Sequence, residues 1–272
     1  MTQTKKTNNK ENTTSNTRLS VQVALTGLSF LVSDVDTGAS LYFTEKRYSS
    51  TPHPEEIQTD IEELLEQEEL DRSYKEVVLV YATDVYTLVP GSLFDETKAS
   101  EYLKFNSKIL ANDYVAHDRL EGQEQVVVYV PYMNVNNFMF DRFGTFKYYH
   151  SLSVLLTNWL TKDKYSVEPR AYMHVMDGAF DLLVTRDGKL ALANTYSFRT
   201  PEDFIYYVLF SFEQLTVNPD QIETQVCGAI RREDAIFEIL YKYVRNVDFT
   251  PAPELRIDHA PDHFHFVLKH LS

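Results

Sequence analysis

The stretch Ala171-Tyr-Met-His-Val-Met-Asp-Gly-Ala-Phe-Asp-Leu-Leu-Val-Thr-Arg-Asp-Gly-Lys-Leu-Ala-Leu-Ala-Asn-Thr-Tyr-Ser-Phe198 decides the fold. A short strand runs into Asp177-Gly178. A second apolar strand, Phe180 to Thr185, runs into Asp187-Gly188, and a third follows from Leu190 to Phe198. Asp-Gly between β-rich runs is a hairpin signal, because the turn needs positive φ and glycine supplies it without a Cβ clash. Thr200-Pro-Glu-Asp-Phe then opens a helix reaching Leu215, with acidic residues after Pro201 where the helix dipole favours them. Glu223–Ile230 is the next strand.

The same plan stands about 150 residues earlier. Leu19–Leu25 alternates as a strand and breaks at Thr26-Gly27. Ser29–Val35, a turn at Asp36-Thr37-Gly38 and Ser40–Phe43 complete a meander. Glu55–Leu70 is a helix whose Ile57, Ile61, Leu64 and Leu65 share one face, with glutamates on the other. Val77–Tyr81 is a buried strand. Gly27 is matched with Gly178 in this alignment of the copies. Between them the sequence predicts strands at Tyr86–Pro90, Val126–Pro131 and Thr145–His150, and helices at Asp95–Leu110, Asn134–Phe143 and Leu152–Leu160. A helix over Arg232–Arg245 and a short terminal element from Ala260 follow.

Composition bounds the function. With 272 residues, 43% hydrophobic and 13% aromatic, the chain can bury a sizeable core. Its net charge of −14 repels phosphate backbones and anionic lipid, so nucleic-acid binding is not expected. No apolar run reaches transmembrane length, and no integral membrane segment is expected. A lone cysteine, Cys227, allows no internal disulfide and no Cys-rich zinc site. The expected setting is cytoplasmic. Met1 to Arg18 is polar and reads as a disordered tail. The folded part divides into 19–165 and 166–272.

Two meander–helix–strand copies resemble ribonuclease-H-like subdomains. Doubled, they resemble the actin-like ATPase fold: α/β, with mixed sheets flanked by helices and a cleft between two lobes. Leu19-Ser-Val-Gln-Val, Leu88-Val-Pro-Gly-Ser-Leu-Phe-Asp and Glu101-Tyr-Leu-Lys-Phe-Asn also look like an uncharacterised bacterial family placed in that superfamily. The resemblance implies three ligand loops. The first, Asp-x-Gly-[Ser/Thr] in the superfamily, corresponds to Leu25-Thr26-Gly27-Leu28-Ser29, and Leu25 stands where a Mg²⁺-holding carboxylate is implied. The second, Asp-x-Gly-x-[Gly/Ser], corresponds to Asp177-Gly178-Ala179-Phe180-Asp181. Its aspartate adjoins the glycine and, on a strand, faces the opposite side. The adenosine motif is reduced to Cys227-Gly228-Ala229. The candidate binding residues are therefore Thr26, Gly27, Ser29, Asp177, Gly178, Asp181 and Gly228, with no catalytic or metal-holding residue.

No Rossmann, Walker or nucleophile-elbow motif competes with this reading. Asp177 and Asp181 are too few for a two-metal nuclease. His263 and His265 would share one face of a terminal strand, a spacing compatible with a metal, although polar residues outside a Phe264/Phe266 anchor explain them too. Cys227 reads as an inert core thiol or a reactive one. The leading expectation is a non-catalytic interaction protein with eroded phosphate loops, no cofactor, and a protein partner, a second copy of the chain included. A divergent protein that binds ATP with Mg²⁺ is the alternative, and a metal-dependent nuclease the third.

Overall fold

The structure is a computed structural model describing residues 16–105, 107–110, 112–251, 255–257 and 260–271. The expected N-terminal tail and His259 lie outside the described residues, apart from Asn16–Arg18, of which Thr17 and Arg18 open the first strand. Strands β1 (Thr17–Ala24), β2 (Gly27–Asp34) and β3 (Ser40–Arg47) form an antiparallel meander. Helix α1 (Pro54–Gln67) follows, burying Ile57, Ile61 and Leu65. It returns the chain to β4 (Glu76–Ala82), which pairs parallel with β1.

The chain then departs to build a small antiparallel sheet from β5 (Tyr86–Pro90), β6 (Ala116–Leu120) and β7 (Gln125–Tyr129), ordered β5-β7-β6. Helices α2 (Ala99–Lys104) and α3 (Met133–Phe143) belong to this excursion. It returns as β8 (Lys147–His150), parallel to β4. The first large sheet therefore has the order β3-β2-β1-β4-β8.

Helix α4 (Ser151–Asp163) leads to the second large sheet. Strands β9 (Arg170–Met176), β10 (Ala179–Arg186) and β11 (Lys189–Ser197) form a meander, followed by helix α5 (Pro201–Gln214). A capping box between Thr200 and Asp203, with Pro201 just inside, starts α5. Strand β12 (Glu223–Gly228), helix α6 (Ala235–Tyr243) and β13 (Asn246–Phe249) close the order β11-β10-β9-β12-β13. One helical turn, α7 (Phe266–Lys269), lies near the C-terminus. Position for position, the two large sheets share one order and one set of strand directions.

Helix α4 ties the lobes together. It packs on β4, β6 and β8 on one side and on β10 and β11 on the other. Its Trp159 is 1% exposed and stacks on Tyr172 of β9, with centroids 5.0 Å apart, and on Phe266 of α7 at 5.4 Å. Removing so large a buried ring from a core typically costs about 3–5 kcal/mol, so this stack is a principal interlobe bond.

Four expectations are corrected. The helix over Asp95–Leu110 is only a 3-10 turn, Glu96–Lys98, and α2; beyond Leu103 no apolar stripe continues, and Lys104, Phe105, Lys108 and Leu110 are exposed. Strands β6 and β13 were not expected, being short and rich in polar residues. The terminal strand is absent: residues 260–265 run as turns into α7, with His265 in the left-handed region at φ 53°. Finally, both meanders begin with two-residue turns, Leu25-Thr26 and Asp177-Gly178. Register then matches Gly178 with Thr26, and Gly27 with Ala179.

Candidate functional site

The C-terminal ends of β1, β4 and β9 converge on a cleft between the lobes, of about 400 Å³. In open α/β sheets this is where ligands collect, because the loops beyond strand ends are free to diverge around them. The first lobe contributes the β1–β2 turn, Tyr48 to Thr51 after β3, and Ala82 to Asp84 after β4. The second contributes Met176 to Ala179, Asp181, Thr195 and Ser197. His150 and Ser151, where β8 becomes α4, form the floor.

Of the residues singled out from sequence, Thr26, Asp177, Gly178 and Asp181 line this one cleft, together with Leu25. Asp177 lies in the turn rather than on a strand, so strand alternation does not turn it away. Gly27, Ser29 and Gly228 are not among the lining residues. Gly27 is where β2 meets β3 closely: a Cβ there would sit 2.4 Å from the Lys46 carbonyl oxygen. Gly228 has φ 89°, and a Cβ would sit 2.2 Å from the Val175 carbonyl oxygen. Its N–H donates to the His263 carbonyl oxygen at 2.9 Å, so the C-terminal segment already holds this position.

Beneath the cleft lies a polar row spanning the second sheet. Register aligns Thr195, Asp181, His174 and Cys227 on four adjacent strands, all on one face. The Asp181 carboxylate accepts from Thr195 Oγ1 at 2.6 Å and lies 3.1 Å from His174 Nδ1. Tyr86, from the small sheet of the first lobe, meets Thr195 at 2.6 Å between hydroxyls. This hydroxyl contact bridges the lobes. Cys227 is fully buried, and burial pushes its thiol well up, which suits the inert reading.

A second polar cluster centres on Asp118 of β6. Its carboxylate accepts from Ser153 Oγ at 2.6 Å, the His150 backbone N–H at 2.8 Å and Tyr129 Oη at 3.1 Å. Burial nevertheless raises its pKa. The buried His150 ring donates from Nε2 to the Thr83 carbonyl oxygen at 3.0 Å and accepts the Leu152 N–H at Nδ1, capping α4. Burial lowers its pKa to about 4, so the ring is neutral. Sequence reasoning missed His150, Thr83 and Asp84. Their signal was positional: His150 ends β8, and Thr83 and Asp84 follow the end of β4.

The cleft is consequently acidic. Asp84, Asp177 and Asp181 line it, and no lysine or arginine does among the described residues. Nor do three histidine, cysteine or carboxylate side chains gather anywhere among the described residues to hold a metal ion. His263 and His265 diverge. His263 stacks on Phe249 at 3.8 Å and donates from Nε2 to the Ile230 carbonyl oxygen at 2.6 Å, while His265 packs on Phe43 at 4.5 Å.

Two lobes of one strand order around an interlobe cleft define the actin-like ATPase fold. A Bacteroides thetaiotaomicron VPI-5482 protein with actin-like ATPase fold and unknown function superposes with TM-score 0.80 at 21% identity, covering 94% of this chain and 95% of that one. The chain matches the family described as protein of unknown function (DUF3822) over residues 5–247, and it belongs to that family. The PilM–PilN type IV pilus biogenesis complex contains a similar chain, with TM-score 0.55 and 11% identity, covering 86% of this chain and 88% of that one. The ethanolamine utilization protein EutJ from Carboxydothermus hydrogenoformans matches with TM-score 0.50 and 10% identity, over 93% and 88%. No curated protein matches the chain. No helix among the described residues is long and apolar enough to cross a membrane.

Proposed function

We propose that this chain is a non-catalytic interaction protein, built from one module written twice and divided near residues 165 and 166, whose cleft does not carry out Mg²⁺-nucleotide chemistry. The observation that carries this reading is the charge of the cleft. Leu25 offers an alkyl group where the resemblance implies a metal-holding acid, and Asp84, Asp177 and Asp181 stand without a lysine or arginine among the lining residues. A phosphate oxygen 4 Å from one such carboxylate would be repelled by about 4 kcal/mol at an effective dielectric of 20. Gly228, the remnant of the adenosine motif, has its N–H engaged by the chain's own His263 carbonyl. These residues do not fit a magnesium-bound triphosphate.

A partner protein is the function left to such a scaffold. PilM, a protein of this fold, is known in a complex with PilN, so use of the fold for assembly has a precedent. Exposed aromatics on α5 and α6, Tyr206, Phe210, Tyr241 and Tyr243, offer contact area. A cytoplasmic setting goes with the single, buried Cys227. The alternative, nucleotide binding without hydrolysis, is favoured by one observation: Thr26, Asp177 and Gly178 share the cleft.

One titration separates them. Thermal unfolding is followed across millimolar ATP with and without Mg²⁺, alongside phosphate release. The expected result is no turnover and no rise in melting temperature. A rise abolished by Gly178→Val supports the alternative, and turnover overturns the proposal.

A further inference from the structure

We infer that residues 260–271 form a strap across the two lobes, and that acid releases this strap while the sheets beneath it stay folded.

The geometry of the segment carries the first half of this. Beyond β13 the described chain joins no sheet. At one end of the strap, His263 is seated on the second lobe: its ring stacks on Phe249 at 3.8 Å, its Nε2 donates to the Ile230 carbonyl oxygen at 2.6 Å, and its own carbonyl accepts from Gly228. Two residues on, His265 packs on Phe43 of the first lobe at 4.5 Å. Helix α7 then lies against β1 and α4, with Phe266 on Trp159 and Leu268 buried together with Leu31 of β2. Among the described residues, the Gly228 bond is the one backbone hydrogen bond between the strap and the sheets. A segment held by side chains rather than by a strand ladder can open without unfolding what it covers.

The buried side chains carry the second half. His263, His265, Lys269 and His270 can all hold positive charge, and all lie in this one segment. Lys269 is 1% exposed, and its Nζ donates to the Asp262 carbonyl oxygen at 2.9 Å. His270 donates from Nδ1 to the Phe266 carbonyl oxygen at 2.7 Å and packs on the Phe266 ring. The charged and titratable groups around His263 are Lys269, Asp262 and Arg231; around His265 they are Glu45, Lys269, Arg47 and His174. Lys269 also faces His270, and is itself faced by Asp262 and Arg256. One ammonium is therefore common to all three rings, and no carboxylate accepts a hydrogen bond from any of them among the described residues. Burial, with Lys269 adding to it, lowers all three histidines, His265 to about 4. Asp262 and Glu45 oppose the shift without cancelling it. In a released strap each ring returns towards its ordinary value near 6.5. Between those values the released strap binds protons that the docked one refuses. Docking is therefore complete above about pH 6.5 and is lost as pH falls towards 4.

The test follows hydrogen exchange of the full chain by mass spectrometry from about pH 7.5 to about pH 5, corrected for the intrinsic pH dependence of amide exchange. Titration of His265 alone should raise the opening constant of residues 260–271 about thirtyfold over this range, and His263 and His270 add to it. Peptides from β9, β10 and β12 are expected to stay protected. Trp159, the single tryptophan, gives a second readout, because losing Phe266 from its face shifts its emission to longer wavelength. His263→Gln keeps a donor near the Nε2 position and His270→Asn keeps one near Nδ1, while both remove a titration. The double variant should open less steeply with acid than wild type. A rise in opening below about tenfold, loss of strap and strand protection at the same pH, or a double variant as steep as wild type each overturns the inference. Where the double variant is already open at neutral pH, the wild-type rise and the strand protection decide the outcome by themselves.

Discussion

The two large sheets have one strand order and one register, yet they differ sharply at matched positions. In the second sheet the polar row beneath the cleft reads Thr195, Asp181, His174, Cys227. The matching row in the first reads Glu45, Ser29, Gln22, Val80. One holds a buried aspartate–histidine contact and the other none. A step further along, β4 carries Tyr81, whose hydroxyl donates to Asn136 of α3 at 2.8 Å, where β12 carries Gly228. Between the fourth and fifth strands, the first lobe inserts a whole sheet and the second only α6. The covers are shared unequally: α4 lies over β4 and β8 of the first sheet and over β10 and β11 of the second, while α7 lies over β1. Strand order is thus indifferent to chemistry, which each lobe settles one side chain at a time.

The sharpest break of the comparison is at the Tyr81 and Gly228 position. Gly228→Ala puts a methyl group 2.2 Å from the Val175 carbonyl oxygen at φ 89°. Overpacking and left-handed strain together predict a loss of about 4 kcal/mol, read by urea unfolding. A variant as stable as wild type would show that β9 and β12 are not pinched there.

Next in size is the buried contact between Asp181 and His174. Asp181→Ala leaves His174 and the Thr195 hydroxyl without their acceptor, and two buried polar groups left unsatisfied cost about 3 kcal/mol. Ser29→Ala, the matched change in the first sheet, should cost under about 0.5 kcal/mol, since it breaks no such network. Equal losses from the two substitutions would erase the asymmetry between lobes.

Acid should act through the buried His150. His150 has no carboxylate at hydrogen-bond distance from its ring, whereas His174 faces Asp181. Burial lowers His150 to about 4, against an ordinary value near 6.5. Between those values the unfolded chain takes up a proton that the folded chain refuses. The stabilisation is therefore complete above about pH 6.5 and declines as pH falls towards 4, by up to about 3 kcal/mol. His265, also lowered to about 4 by burial, adds in the same direction. His150→Asn keeps an acceptor for the Leu152 N–H and removes the titration, so its stability between pH 6.5 and 4 should fall less steeply. An unchanged slope would assign the acid sensitivity elsewhere.

The sequence made the architecture legible because both halves show one pattern of apolar strands, glycine-marked turns and an amphipathic helix. Ile57, Ile61 and Leu65 marked the buried face of α1 correctly. What it hid is polar. Strand β6, Ala116-His-Asp-Arg-Leu, reads as a loop until Asp118 is seen satisfied by Ser153, His150 and Tyr129 from elsewhere in the fold. Strand β13 has only four residues, and parallel pairing with β12 alone defines it. In the cleft, Thr26, Asp177, Gly178 and Asp181 were visible through the resemblance. Asp84 and His150 were not, since nothing local distinguishes an acid after a strand from any surface acid. The one-residue misalignment of Gly27 with Gly178 arose because a glycine can be retained for a reason other than turn geometry.

That last point defines the smallest test. Gly178 sits at φ 69° with nothing nearer to an added Cβ than the Phe198 carbonyl oxygen at 3.9 Å. Its requirement is conformational, and Gly178→Ala should cost about 1 kcal/mol. Gly27 has no positive φ, yet its Cβ would meet the Lys46 carbonyl oxygen at 2.4 Å, so its requirement is steric. Gly27→Ala should therefore cost more, about 2 kcal/mol, because β3 must move. Substituting asparagine separates the two causes, since it tolerates the left-handed region but not a crowded neighbour. Gly178→Asn should recover part of the loss seen with alanine, and Gly27→Asn none of it. Recovery at both positions would mean that the turns are alike after all and that the glycines, not the register, mark the equivalence.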